Sequence, residues 1–227
     1  MSYEKILKKI DVHSLDFYDN PDKVCAIVQE HSFRGIVVNE IDLIRTRKII
    51  GAASQSKVIC AVDYTSGGLS VKARGEIIRS AISNGADEIE IGMQSSLFYE
   101  NLPLVQIDID KIGKLARDNK IDIKYKIDPG LPKTRPKIIS DLCRMLNKSG
   151  IRFVTNGIFH DQKIDDCETV LFLRDVKKAS ACETKAYIKN PTVNSFVMLH
   201  KSGADVIGLD WRFATKIAYG IEQETLA

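Results

Sequence analysis

Three segments of this chain repeat one device. In "SNGADEIEIG" (83–92), "NKSGIRFVTN" (147–156) and "KSGADVIGLD" (201–210), a helical pattern stops at a glycine, two residues follow, and a strand-like run begins. Glycine supplies the left-handed backbone that ends a helix. A repeated helix-to-strand turn implies a repeated strand–helix unit, and such alternation builds a parallel sheet covered by helices. Period-two and period-3.6 patterns predict strands near 8–12, 35–39, 57–62, 87–92, 121–127, 152–156, 182–186 and 205–209. They predict helices near 21–31, 41–54, 70–84, 109–119, 135–148, 164–178, 191–202 and 213–224. Asn20-Pro21 and Asn190-Pro191 each read as an N-cap followed by proline at the first helical position. Eight strands alternating with eight helices predict a (β/α)8 TIM barrel of one domain over residues 1–227. A doubly wound open sheet is the other candidate, but no GxGxxG follows the first strand.

In a barrel neither strand face meets water, and that changes how "IDIKYKID" (121–128) reads. Ile123, Tyr125 and Ile127 pack outward under helices, so Lys124 and Lys126 point into the lumen with Asp128 at its upper end. Likewise Ile89 and Ile91 face helices while Glu88 and Glu90 face inward. Buried charges cost several kcal/mol each unless paired. Strand one adds Asp11 and His13, strand two Asn39 and strand three Asp63. Strand six adds Thr155 and Asn156, strand seven Lys185 and strand eight Asp210, at the end where barrel active sites sit. Trp211, the only tryptophan, follows at the mouth and suits the wall of a small organic ligand's pocket.

A net charge of +3 with no long basic block argues against a nucleic-acid partner. No apolar run approaches the ~18 residues of a membrane span, and "MSYEKILKKID" carries no apolar signal core. Five cysteines without a CxxC read as free thiols of a cytoplasmic protein.

The residues resemble one family along most of the chain. "IDVHSL" (10–15) resembles the Ile-Asp-His-Thr-Leu of the deoxyribose-phosphate aldolases, which are class I aldolases on a (β/α)8 barrel. "IVVN" (36–39) resembles their Val-Cys-Val-Asn, and "NGADEIEIG" their Gly-Ala-Asp-Glu-Ile-Asp. "IKYKIDPGLP" resembles their Leu-Lys-Val-Ile-Ile-Glu-Thr-Gly, and "TKAYIKNPT" their Val-Lys-Ala-Ser-Gly-Gly-Ile-Arg-Thr. The resemblance implies an aldolase-like lyase without a cofactor or metal. It also departs at the chemistry. Thr155 of "FVTNGIF" stands where the family's imine-forming lysine stands, Glu90 replaces its proton-transfer aspartate, and Lys185 retains its second lysine. Ile188-Lys189 and Asp210-Trp211 replace its phosphate-binding backbone pairs, so a carboxylate faces the expected phosphate, with Lys189 and Arg212 as possible compensation.

An imine needs an amine that is neutral near pH 7, and desolvation or a neighbouring cation lowers a lysine from its usual ~10.4. Lys126, on the strand beside the lost lysine, is the expected relocated amine, with Lys185 next. Lys124 supplies a neighbouring cation, Glu90 moves protons, and Asp11 or Asp128 orients the substrate. His13, Asn39, Asp63, Glu88, Thr155, Asn156, Lys189, Asp210 and Trp211 complete the expected binding residues, for a small, non-phosphorylated carbonyl compound. A homodimer is expected from the frequency of that state. Two other readings stay open: an inactive homologue whose lumen is a satisfied ion network, and a barrel enzyme without an imine, using acid–base groups or a divalent ion on oxygen ligands.

Overall fold

The structure, a computed structural model, describes residues 2–64, 67–94, 102–128, 137–156 and 166–226. Within them eight parallel strands close into a barrel in chain order: β1 (Ile10–Ser14), β2 (Gly35–Asn39), β3 (Lys57–Val62), β4 (Glu88–Gly92), β5 (Asp122–Lys126), β6 (Phe153–Thr155), β7 (Glu183–Ile188) and β8 (Val206–Asp210). The helices are α1 (Tyr3–Leu7), α2 (Pro21–Glu30), α3 (Leu43–Ile50), α4 (Val71–Ser83), α5 (Leu102–Asn119), α6 (Ile138–Lys148), α7 (Asp166–Ala179), α8 (Val193–Lys201) and α9 (Trp211–Leu226). The expected (β/α)8 barrel is therefore the fold. Residues 95–101, between β4 and α5, and His160, in the connection after β6, lie outside the described residues.

The three glycine junctions behave as their sequence implies. Gly85, Gly150 and Gly203 have φ of 91°, 82° and 97°, a region open to glycine and costly for a residue with a Cβ. Alternation then sorts each strand. Val12, Ile36, Cys60, Ile89, Ile91, Ile123, Tyr125 and Leu209 lie in the large outer core between sheet and helices. A small second cluster of Val37, Ile59, Ala61 and Tyr64 fills the lumen beside β2 and β3. The β4–β7 side of the lumen is charged instead.

Several local expectations need correction. The N-cap of α8 is Thr192, not Asn190. Its hydroxyl accepts from the Ser195 amide at 3.0 Å while the Thr192 amide donates to Ser195 Oγ at 2.9 Å. That reciprocal pair satisfies two end donors, which one asparagine cannot do. Asn20 does cap α2, accepting from the Asp22 amide with Pro21 at the first helical position. Helix α5 begins at Leu102, seven residues before the expected start. Its buried stripe, Val105, Ile109, Ile112 and Ala116, is interrupted by Asp108, a buried carboxylate that pairs with Arg74 at 2.6 Å and hides the helical period. Strand β1 runs to Ser14, two residues beyond expectation, and so carries His13 inside the sheet.

Candidate active site

Register fixes which side chains share a level. Glu90 lies opposite Lys124, and Lys126, Thr155 and Lys185 lie side by side on β5, β6 and β7. Thr155 thus separates two lysines, one on each neighbouring strand. All three residues are fully buried.

Below that level runs an ion network. Lys124 reaches Asp11 at 2.8 Å, Glu88 at 2.7 Å and Glu90 at 3.5 Å. Lys185 contacts Asp11 at 3.1 Å and pairs with Glu90. Arg34, at the N-terminal end of the barrel, reaches Asp11 at 2.7 Å and Glu88 at 2.6 Å, and Lys57 also pairs with Glu88. Every carboxylate in this set has at least two cations. Burial alone would raise the Asp11 carboxyl, but Lys124, Lys185 and Arg34 outweigh it and hold Asp11 well below the usual range. Glu88, opposed in the same way by burial, is drawn down to about 2 by Lys124 and Arg34.

The three lumen lysines differ sharply. Burial works against a charged Lys124, yet Asp11, Glu90 and Glu88 raise it above the ordinary lysine value. Lys185 is lowered by burial, with Lys124 adding to the effect while Asp11 and Glu90 oppose it. Lys126 is lowered to about 7, because burial outweighs the attraction of Glu90, Asp63 and Asp128. Its Nζ sits 4.3 Å from the centre of the Tyr64 ring. Glu90 spends Oε1 on Lys185, while Oε2 is buried without a hydrogen bond among the described residues.

The remaining candidates divide. His13 is 3 % exposed in the upper lumen, between Tyr187 and Tyr64. Asp128 is half-buried above Lys126 and contributes to its field. Asn39 donates to the Leu15 carbonyl at 3.1 Å. Asp63, at φ 47°, accepts from the Gly68 and Leu69 amides and so organises the turn after β3. Asn156 clamps β6 to β7, accepting from the Tyr187 amide at 2.7 Å and donating to Thr169 and the Tyr187 carbonyl. Lys189 is exposed just past β7. Asp210 accepts from Arg212, and the Trp211 indole donates to Asp19 at 2.7 Å while its ring packs against the outer core. Sequence reasoning missed Arg34, Tyr64 and Tyr187. Tyr187 was available from the period of two that starts at Lys185. Arg34 enters from below, where no active-site residue is sought.

Among the described residues no group of three or more His, Cys, Asp or Glu is arranged to hold a metal ion, and no helix is long and apolar enough to cross a membrane.

No family model matches the chain. A deoxyribose-phosphate aldolase of Treponema denticola is 24% identical over 158 residues, covering 69% of this chain and 72% of that protein. One from Mycoplasma mobile is 28% identical over 207 residues, covering 89% and 88%. Among solved structures, the tetrameric deoxyribose phosphate aldolase of Aeropyrum pernix superposes with a TM-score of 0.83 at 18% identity, covering 97% of this chain and 92% of that one. An aldolase called QR15 superposes with a TM-score of 0.81 at 18% identity, covering 97% of each. By sequence the chain is similar to deoxyribose-phosphate aldolases, and its barrel superposes on the fold of solved members of that family.

Proposed function

We propose that this protein is an aldolase-type carbon–carbon lyase whose imine-forming amine is Lys126. The observation that carries the reading is the contrast among the three lumen lysines. Lys124 is held charged by three carboxylates, whereas Lys126 is lowered to about 7 and is neutral often enough to attack a carbonyl. Homology to aldolases supports the reaction class.

The Lys126 nitrogen attacks the carbonyl carbon, the carbonyl oxygen takes up a proton, and water leaves as the C=N bond forms. With the imine protonated, the bond between the second and third carbons breaks. Its electron pair moves toward the nitrogen to give an enamine, the hydroxyl on the third carbon loses its proton, and an aldehyde departs. Protonation of the enamine carbon and hydrolysis return the amine. Glu90 Oε2, buried and without a hydrogen bond among the described residues, accepts and returns these protons. Lys185 holds the other oxygen of Glu90, and Asp11, itself paired with Lys124, holds Lys185 in place from below. The substrate is a small carbonyl compound without a phosphate. At the end of β8 the carboxylates of Asp16, Asp19 and Asp210 surround Arg212 at 2.7–2.9 Å and outnumber it.

The test is intact-protein mass after incubation with small aldehydes, ketones and keto acids plus cyanoborohydride, followed by peptide mapping. One fast stoichiometric adduct on Lys126, absent from Lys126→Met, is the expected result. An adduct on Lys185 alone moves the amine to β7. Labelling no faster than that of surface lysines overturns imine chemistry, and favours an inactive binding protein whose lumen is held by the same ion pairs.

A further inference from the structure

Above the ion network the lumen changes character. His13 is 3 % exposed, with its ring centre 4.8 Å from that of Tyr187 and 5.9 Å from that of Tyr64. Neither ring nitrogen has a hydrogen bond among the described residues. Buried polar side chains are normally bonded, so two idle nitrogens on one enclosed imidazole call for an external partner. Nor is this nitrogen pressed into a wall by accident. A Cβ on Gly208 of β8 would lie 2.8 Å from His13 Nε2 and 2.7 Å from Lys185 Cε, so the absent side chain leaves Nε2 its space.

The protonation state follows from the groups around it. Burial lowers His13 well below the ordinary histidine value and Lys185 lowers it further; Asp11 opposes them, and Lys124 and Lys126 add to the lowering. A neutral imidazole has one N–H donor and one bare acceptor nitrogen. A hydroxyl group can accept from the donor or donate to the acceptor. A phosphate or carboxylate complements only the donor, and would have to sit near Asp16, Asp19 and Asp210, which share one guanidinium.

Lys126 Nζ lies 4.3 Å from the Tyr64 ring centre, and that centre lies 5.9 Å from the His13 ring, so amine and imidazole flank one aromatic wall. We infer that His13 is the specificity-determining residue of this pocket: it binds a hydroxyl group of an uncharged hydroxy-aldehyde or hydroxy-ketone whose carbonyl carbon is held by Lys126. The inference rests on the imine reading and adds the substrate class to it.

The experiment compares cyanoborohydride trapping of 3-hydroxybutanal and butanal, mapped to Lys126 with intact and two-carbon cleavage adducts counted together, in the unsubstituted protein, His13→Phe and His13→Gln. The unsubstituted protein should half-saturate with the hydroxylated aldehyde at about ten- to hundredfold lower concentration. In His13→Phe the two aldehydes should converge in half-saturating concentration with the maximal trapping rate retained. His13→Gln, which keeps a donor and an acceptor, should restore part of the preference. Trapping at Lys126 with no preference, or with a preference unchanged in both variants, leaves the imine reading standing and overturns the role of His13. Absence of any Lys126 adduct with either aldehyde overturns both. If His13→Phe does not fold, His13→Gln against the unsubstituted protein decides by the same shift in half-saturation.

Discussion

Lys124 and Lys126 are two residues apart on one strand, point the same way and are both fully buried. Their difference comes entirely from neighbours. Carboxylates at 2.7 and 2.8 Å make Lys124 an integral cation, while burial dominates at Lys126. Burying Lys126 therefore carries a stability consequence of definite sign. Its value is about 7 in the fold against an ordinary 10.5, so the unfolded chain binds more protons between those limits. Stability then rises as pH climbs through that window. Lys126→Met should be the more stable protein at pH 7, by on the order of a few kcal/mol at most, and the gap should close toward pH 10.5. Urea midpoints at pH 7, 8.5 and 10 read this directly. A Met variant that is less stable at pH 7 contradicts the desolvation argument. His13 belongs to the same scale, since its idle nitrogens are invisible in a string of letters. The sequence shows a histidine two residues after an aspartate; only the Tyr187 and Tyr64 rings around it show that nothing in the described structure satisfies it.

Among the elements, the strands were the most legible. Each inward charge on β4 and β5 follows from outward isoleucines and a period of two, and the registers place Glu90 against Lys124 as alternation requires. Helix starts were legible only where one local signal dominates. Asn20-Pro21 holds because nothing competes with it, whereas Thr192 and Ser195 outcompete Asn190. The first turns of α5 were hidden because Asp108 occupies a core position that only Arg74, from another helix, makes tolerable. Strand β8 offers a test at this scale. Gly208 faces the lumen, and an added methyl meets the flexible end of Lys185 and the His13 ring at 2.7–2.8 Å rather than backbone. Gly208→Ala should therefore fold, with lowered thermal stability because Lys185 is held by Asp11 and Glu90, and slow Lys126 trapping of hydroxylated aldehydes at least severalfold. Unaltered trapping would show that neither side chain has to move.

For the whole molecule, the central charges set how the barrel responds to acid. Glu88 is drawn from an ordinary 4.5 to about 2, so its contribution is complete above 4.5 and is lost as pH falls through the folded value. Asp11 adds a term of the same sign. Urea midpoints should decline gently from pH 7 to 5, because His13 stays neutral in the fold below its ordinary value, and fall more steeply between 4.5 and 2. Glu88→Gln should be weaker at pH 6, with a shallower acid slope; an unchanged slope excludes Glu88 as its source. Barrel closure was legible because eight similar units admit few arrangements. The wiring across the lumen was not, because Asp11 and Lys124 are 113 residues apart and Arg34 reaches Asp11 from the opposite end.

That wiring also governs how the protein tolerates change. Arg34, Glu88, Lys124, Asp11, Lys185 and Glu90 form one connected chain from the floor of the barrel to the level of Lys126. Removing any one member strands a charge on the next, a loss of about 3–5 kcal/mol for a buried pair. A one-at-a-time substitution scan would thus mark floor and site as equally intolerant, although only the upper end faces the proposed chemistry. Swaps made in matched opposite-charge pairs would separate the two: the floor should accept them, and the neighbourhood of Lys126 should fold with them but lose its reactivity.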